Sequence, residues 1–393
     1  MQNNNSEKSV ICESGHTGHR SGYIGHLMKY INEHPDLHNK YLFILNELMR
    51  DLLGELITSK HYNIEFIVFE KKITNIVMRS FWEWSLFEKI IQEQKGLHEI
   101  IFMNIDSYLV LLVAGRFKKY NLSVKGILFQ PYLHFKENST GGFLFLLKKV
   151  YKNYLFQKYS VLLNSKIVKV FILNDPTTVG IMNKKIKKVF YNLPDPIERD
   201  VKNKDQKNYK NILDKYGIKT TNKNLLVFGS IDYRKNLINI IDSLRLLSPE
   251  LKKNIHLIIA GKIGIERYRQ HIEKYKDEIS IGYNDGFVNA EEREPLFESC
   301  DVVLMPYINF YSASSVLGHA ISHNKNVVAT NKGLLGKTVK ENNIGIVVDP
   351  LKPAEIKQAI IDLLLKPSKF NYNSNTLIEE YSAVNFSKSI LLN

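Results

Sequence analysis

The sequence predicts an α/β protein built from two doubly wound domains, and three observations predict it. Short apolar runs alternate with helical patterns from Lys8 to Leu173. A proline-bearing polar stretch interrupts this texture near Asn192. A second alternating series begins at Leu225. Strands separated by helices at this spacing pair in parallel under helical layers. A chain of 393 residues also exceeds what one core usually fills, so two domains of ordinary size are expected. Loops at the carboxyl ends of both sheets are expected to face a shared cleft.

The first strand is read at Lys8–Cys12, followed by the loop ESGHTGHRSGYIGH and the helix LMKYINEH. Further strands are expected at YLFIL from Tyr41, IEFIVFE from Ile64, EIIFMNI from Glu99, VKGILF from Val124 and IVKVFIL from Ile167. Helical stretches such as SYLVLLVAGRFKKY lie between them. NLPDPIERDVKNKDQKNYKN has two prolines and then a charged run, the texture of a linker. Strands resume at LLVFGS from Leu225, IHLIIAG from Ile255, DVVLMPY from Asp301 and NVVAT from Asn326, with helices at NLINIIDSLRLL, IERYRQHIEKYKDE and AEIKQAIIDLLLK. The tail sets Tyr381, Val384, Phe386 and Ile390 at helical spacing. The expected organisation is a first domain over 1–192, a linker over 193–222, a second domain over 223–370, and a C-terminal helix within 371–393 packed on the body.

Composition narrows the class. With 44% hydrophobic and 11% aromatic residues the chain can fill real cores, which excludes global disorder. Two cysteines cannot form a disulfide framework or a four-cysteine zinc site, and they suit a reducing cytoplasm. The N-terminus MQNNNSEKSV lacks a basic-then-apolar leader. No apolar run reaches the about 18 residues that a spanning helix needs.

The net charge of +14 is unevenly placed. From Arg116 to Lys188 there are fifteen Lys/Arg against two acids, Glu137 and Asp175, so +13 of the excess lies in this one segment. Within it, GGFLFLLKKVYKNYLFQKYS places Phe143, Leu147, Val150, Tyr154 and Leu155 broadly on one helical side among lysines. That pattern fits an interfacial helix on an anionic membrane surface, and equally an amphipathic core helix with solvated lysines. A nucleic-acid partner is not expected, because recognisable aromatic–basic RNA motifs and a reading helix are lacking.

Four loops could carry binding chemistry. Gly15-His16-Thr17-Gly18-His19-Arg20-Ser21-Gly22 follows the first strand, and its glycines, Gly18 among them, let backbone N–H groups approach an anion. It is neither G-x-G-x-x-G nor a P-loop, and a flexible glycine turn is its plain alternative. Cys12, His16, His19 and His26 lack the paired spacing of a metal set, so no metal is expected. In the second half, Gly229 and Ser230 end a strand and Arg234-Lys235 follow just before a helix, which suits a diphosphate. Asp285-Gly286-Phe287-Val288 offers a backbone that can lie against a flat base. Tyr311 through Ala320 leads small residues into a helix, so the N–H groups of Ser314, Ser315 and Val316 would point at a phosphate. An ordinary serine N-cap is the alternative there.

Taken in order, these segments resemble the donor-binding half of GT-B glycosyltransferases of the retaining family 4, or group 1, type. The family reads strand-GR-x4-KG-helix, here FGSIDYRKNL; then L-x-I-x-G, here HLIIAGK; then G-x-V-x3-E-L, here DGFVNAEEREPLF. A-D-V-x3-P-S follows, here CDVVLMPY, and then E-x7-E-A-x-A-x-G-x-P-V-V-A, here Tyr311 through His319-AISHNKNVVAT. A glycine-rich loop closes the series at KGLLGKTVKENNIGIVVDP. The resemblance covers roughly 222–365 and implies two Rossmann-like domains of GT-B type. It also implies a nucleotide-sugar donor, UDP- or GDP-linked, needing neither metal nor a separate cofactor. Its diphosphate would meet Gly229, Ser230, Arg234, Lys235 and the backbone at Ser314–Val316, with the base near Phe287 and Val288. Lys235 matches the family lysine, Ser230 stands where arginine is usual, and Arg234 compensates. The family's two glutamates fall on Tyr311 and His319, leaving His319 to meet the ribose hydroxyls. In the first half, Gln130 and His134 in LFQPYLHFK lie near where the family places a cleft histidine.

The implied activity is transfer of a sugar, with retention, to a saccharide or lipid-linked acceptor in surface polysaccharide assembly, at the inner face of the plasma membrane. The alternative is a catalytically degenerate GT-B module acting as a membrane-associated binding or scaffold protein, motivated by the two replaced glutamates.

Overall fold

The computed structural model describes residues 7–16, 20–37, 39–59, 61, 63–70, 75–135, 143–197, 206–366 and 372–392. The chain divides into two units, one of residues 1–196 with 383–393 and one of residues 197–382.

The first unit is built on a seven-stranded sheet. Its strands are β1 (Lys8–Glu13), β2 (Lys40–Asn46), β3 (Ile64–Phe69), β4 (Leu97–Phe102), β5 (Ser123–Ile127), β6 (Ile167–Leu173) and β7 (Phe190–Leu193), in the order β3-β2-β1-β4-β5-β6-β7. All pairs are parallel, with Val10 opposite Leu42 on one side and Ile100 on the other. Because successive side chains point to opposite faces, β1 feeds two cores. Val10 and Cys12 join one with Leu42, Ile44, Ile100 and Phe102; Ile11 joins the other with Tyr41, Phe43, Leu45 and Ile101. Both faces are covered, which is why these strands read as continuous apolar runs rather than alternating ones.

The second unit repeats the plan with β8 (Lys223–Phe228), β9 (Ile255–Ala260), β10 (Ile281–Asn284), β11 (Val302–Met305), β12 (Asn326–Thr330) and β13 (Gly345–Val348), in the order β10-β9-β8-β11-β12-β13. Leu226, Ile258, Ala260, Val303 and Met305 fill one face, and Leu225, Val227, Leu257, Ile259 and Leu304 the other. In each sheet the order reverses beside the unit's first strand, between β1 and β4 and between β8 and β11. Ligand loops in such folds collect at the carboxyl ends there.

Several boundaries differ in detail from the sequence reading. The stretch expected as linker contains the helix Gln206–Lys215, whose Ile212 and Leu213 pack on the second unit's core. Tyr216 just after it is buried and donates its hydroxyl to Glu292. The expected single tail helix is two. Ser374–Glu380 belongs to the second unit, with Leu377 in its core. Ala383–Leu391 belongs to the first, with Phe386 and Ile390 fully buried against the helix Arg20–Glu33. Tyr23 and Phe386 meet with ring centroids 4.7 Å apart. That first helix starts at Arg20, so Gly22 lies in a helix rather than in the expected loop. Its buried Tyr23, Ile24, Leu27, Met28 and Ile31 recur at helical spacing. The glycine-rich stretch from Gly333 is likewise helical, over Gly333–Glu341.

Candidate functional site

In the second unit the chain leaves β8 through Gly229, whose φ of +97° is open to glycine and costly for other residues. Its N–H donates to the Ala260 carbonyl at 2.9 Å. Gly261 sits so close that a Cβ there would fall 1.9 Å from the Gly229 carbonyl oxygen. Two glycines are therefore needed for β8 and β9 to end side by side. Ser230 is exposed. Asp232 then caps the short 3-10 turn Tyr233–Lys235 by accepting the Arg234 N–H at 3.0 Å.

The same carboxylate grips the Arg234 guanidinium, from Nε at 3.0 and 3.1 Å and from Nη2 at 2.6 Å. This hydrogen bonding raises the Arg234 pKa, so the charge is permanent. The guanidinium also lies 5.9 Å from the Phe310 ring centroid. Because Arg234 and Asp232 are both part-exposed, the pair adds little to stability, about 0–1 kcal/mol. What it does is fix the direction of a cation. Asn236, in left-handed backbone at φ +57°, donates its side-chain amide to the Pro306 carbonyl at 3.0 Å. The Ile308 N–H donates to the Arg234 carbonyl at 2.9 Å. These bonds stitch the turn after β8 to the segment after β11.

Lys235 is only 6% exposed. Its Nζ donates to the Tyr307 hydroxyl at 2.6 Å, lies 4.3 Å from that ring's centroid, and sits 3.6 Å from where a Gly229 Cβ would be. Burial pushes its pKa down to about 7, the neighbouring Arg234 adds to this, and Asp232 opposes it. Tyr307 is itself buried, which raises its phenol, while a hydrogen bond with the Ser314 side chain works the other way. Ser314 is the N-cap residue of the helix Ser315–Ser322, and its side chain makes no cap hydrogen bond there. One phenol thus connects the buried lysine to the start of the helix whose first N–H groups, at Ser315 and Val316, have no partners within it.

His319 lies one turn into that helix. Its ring stands edge-on to Phe228 at 6.3 Å and tilted against Phe297 at 5.5 Å, so it flanks the carboxyl end of β8. The Tyr311 carbonyl accepts the Leu334 N–H at 3.0 Å, bringing the helix Gly333–Glu341 to the same edge. Val288 packs on the core cluster that also holds Phe228 and Phe310. Phe287 next to it is 89% exposed, a flat ring presented to solvent. The structure therefore gathers Gly229, Arg234, Lys235, Ser314 and His319 around the ends of β8 and β11. Phe287 and Val288 stand after β10, at the sheet's edge.

In the first unit, His134 lies in the 3-10 turn Tyr132–Phe135 after β5, with Nε2 2.8 Å from Asp175 Oδ2. Asp175 is the N-cap of the helix Pro176–Lys185 and accepts the Thr178 N–H at 3.0 Å. Burial by itself would raise the Asp175 carboxyl, but hydrogen bonds from His134 and Thr178 outweigh it and hold it below the usual range. An ionised Asp175 accepts a hydrogen bond from Nε2–H, and Nδ1 is buried with no hydrogen-bond partner among the described residues. The Gln130 segment is pinned as well. Asp106 accepts the N–H groups of Phe129 and Gln130 at 2.8 and 3.2 Å, and Gln157 donates to the Gln130 carbonyl at 2.8 Å. Burial pushes Asp106 up to about 6 despite those N–H donors. Gly18 of the glycine loop lies outside the described residues.

Sequence reasoning missed Asp232, Asn236, Gly261, Tyr307 and Asp175. Tyr307 was readable as a departure, since the family has serine after that proline. Asp175 had no signal, being 41 residues from His134.

Residues 208–379 match the model of the family described as glycosyl transferases group 1. An uncharacterized glycosyltransferase of Methanocaldococcus jannaschii, MJ1607, is 26% identical over 212 residues, which is 51% of this chain and 52% of that protein. The match thus spans about half the length of that curated relative. Among solved structures, HepE of Anabaena in complex with UDP and glucose superposes with a TM-score of 0.69 at 14% identity, over 98% of each chain. WaaG, a glycosyltransferase involved in lipopolysaccharide biosynthesis, gives a TM-score of 0.67 at 16% identity over 98% of this chain and all of the other. At such identities the likeness establishes the GT-B fold. A putative UDP-N-acetylglucosamine 2-epimerase of Listeria monocytogenes shares it as well, so fold alone does not name a reaction.

Proposed function

We propose, from the match of residues 208–379 to the glycosyl transferases group 1 family, that this protein moves a sugar from a UDP- or GDP-linked donor to a saccharide or lipid-linked acceptor with retention. The observation that carries the reading is the pairing of one part-exposed, carboxylate-held cation, Arg234, with one buried amine, Lys235, at the end of β8. The helix start at Ser314–Val316 is joined to them through Tyr307. Fixed charge, helix N–H groups and glycine backbone suit a diphosphate, whose negative charge grows as it leaves. The structurally similar HepE was solved with UDP and with UDP-glucose, which supports a nucleotide-sugar donor here.

In this reading the sugar C1–O bond to the diphosphate breaks while the acceptor oxygen bonds C1 from the same face. The acceptor's proton passes to the departing phosphate oxygen. Arg234 and Lys235 stabilise the leaving group, Gly229 and Ser230 lie against it, Val288 and Phe287 border the base, and His319 takes the ribose hydroxyls. His134, in the first unit, is assigned to the acceptor in this reading. Charge on the protein replaces a metal, so turnover is expected to persist in chelator. The test is a donor screen for hydrolysis or transfer, read by released nucleoside diphosphate. Arg234→Ala is expected to lower kcat/KM by about 10²-fold, and His134→Ala to lower kcat with little change in donor affinity. Full activity in both variants removes this site. Nucleotide binding without turnover, for every donor tried, favours instead the degenerate module suggested by Tyr311 and His319.

The finer reading places the enzyme at an anionic membrane surface during surface glycan assembly. The helix Phe143–Leu163 supports this, with the expected Phe143 and Leu147 lying outside the residues whose side chains are described. Val150 and Tyr154 pack on the core, while Tyr151, Tyr159, Leu162 and Leu163 are exposed beside Lys152 and Lys158. Among the described residues no helix is long and apolar enough to cross a membrane. Flotation with vesicles containing phosphatidylglycerol is expected to carry the protein at low salt and release it at high salt. Absence of lipid-dependent flotation at either salt sinks the membrane reading and leaves the donor site standing.

A further inference from the structure

Lys235 is a buried amine with no counter-ion among the described residues. Among the described residues no carboxylate lies within ion-pairing distance of its Nζ, and Asp232, the acid that acts on it, is committed to Arg234. Its strong hydrogen bond is to the neutral phenol of Tyr307, 2.6 Å away. The charged and titratable groups bearing on it are Arg234 and Asp232 on its own turn and Tyr307 on the segment after β11. The end of β8 contributes Gly229 and the helix Ser315–Ser322 its cap residue Ser314, neither of which titrates; His319 lies one turn further along that helix. A buried ammonium with no anion beside it favours the neutral amine. A phenol suits either form, since its oxygen accepts from an ammonium and its O–H donates to an amine.

We propose that Tyr307 holds Lys235 as a counter-ion-free amine in the ligand-free protein, and that a nucleotide sugar binds there with uptake of one proton by Lys235. The inference rests on the donor-site reading and deepens it. When the diphosphate arrives, it supplies the missing anion, and the solvent proton that Lys235 takes up completes a charge-assisted contact. Arg234 behaves differently, since Asp232 keeps it charged throughout. With the free amine titrating at about 7, binding is proton-linked only above that pH, and the dissociation constant then rises about tenfold per pH unit. The tyrosine stands where the resembled family has serine, so the arrangement belongs to this chain.

The experiment is isothermal titration calorimetry of the full chain with UDP-glucose, and with GDP-mannose in parallel. Their diphosphate diesters hold no proton that titrates between about pH 6 and 9. Each titration is run in two buffers of different ionisation enthalpy, which yields the protons taken up. The expected uptake is close to one per ligand at pH 8.5 and close to none at pH 6. Lys235→Arg, charged at both values, is expected to bind without uptake, and Tyr307→Phe to weaken binding about tenfold. Binding at pH 8.5 with an uptake below roughly 0.3 proton overturns the inference while the donor site survives. Failure of both ligands to bind at either pH overturns the inference together with the donor reading.

Discussion

Lys235→Met is expected to lower kcat/KM for nucleotide-sugar turnover by roughly 10²–10³-fold while making the folded protein more resistant to heat at acidic pH. Both effects have one origin. The lysine supplies charge to a departing diphosphate, and without ligand its amine is buried against Tyr307. Burial pushes its pKa from 10.5 to about 7. Between those values the unfolded chain binds a proton that the folded chain does not, so this group adds stability as pH rises through that window. Below about pH 7 the folded chain must hold the buried ammonium, and the cost is greatest there. Methionine fills similar space and does not titrate. Its melting temperature should exceed that of the wild type at pH 6, and the gap should shrink toward pH 9. Scanning calorimetry at the two pH values measures this, and a gap independent of pH shows that Lys235 is not the titrating group. A site residue that weakens the fold is the expected form of a stability–activity trade-off.

The second large effect is expected at Gly261, which touches no ligand in the proposed site. Its φ is +141°, and an added Cβ would lie 1.9 Å from the Gly229 carbonyl oxygen and 2.7 Å from its carbonyl carbon. Both obstacles are backbone, so no rotamer change relieves them. Gly261→Ala should cost more than about 3 kcal/mol in denaturant unfolding and should weaken nucleotide binding, because the chain that yields is the Gly229 turn. Gly180→Ala is the control. That glycine lies in the helix Pro176–Lys185 with nothing within 4 Å of its added Cβ. It should be neutral or gain up to about 1 kcal/mol. A wild-type denaturation midpoint and affinity in Gly261→Ala would show that the two turns are not mechanically joined.

Much of this molecule was legible in its strands. The central strands β1, β2, β4, β6, β8, β9, β11 and β12 all announced themselves as apolar runs, because each is covered on both faces. The short strands β7, β10 and β13 did not. Each has four residues, and their exposure patterns are mixed. At the edge of a sheet solvent replaces a neighbour, and sequences such as FYNL or IGYN carry no continuous apolar signal. The helix Gln206–Lys215 was hidden for a related reason. Its contact with the core is made by Ile212 and Leu213 within a run of lysines and asparagines, and that run reads as linker.

The order of the motifs from Gly229 to Lys337 was enough to single out Arg234, Lys235, the Ser314 helix start and His319, since each sits beside a strand end that the sequence shows. By itself the sequence determined two parallel sheets, the loops that carry the cations, and the concentration of positive charge between Arg116 and Lys188. These follow from local periodicity and from counting, which need no partner across space. The tertiary structure alone decided that Lys235 faces a phenol instead of a carboxylate and that Asp175 sets the proton on His134. It also decided that Phe386 closes the first unit after the chain has built the second. Each of those is a contact between residues tens to hundreds of positions apart, and burial and hydrogen bonding act on distance in space, which a linear pattern does not contain.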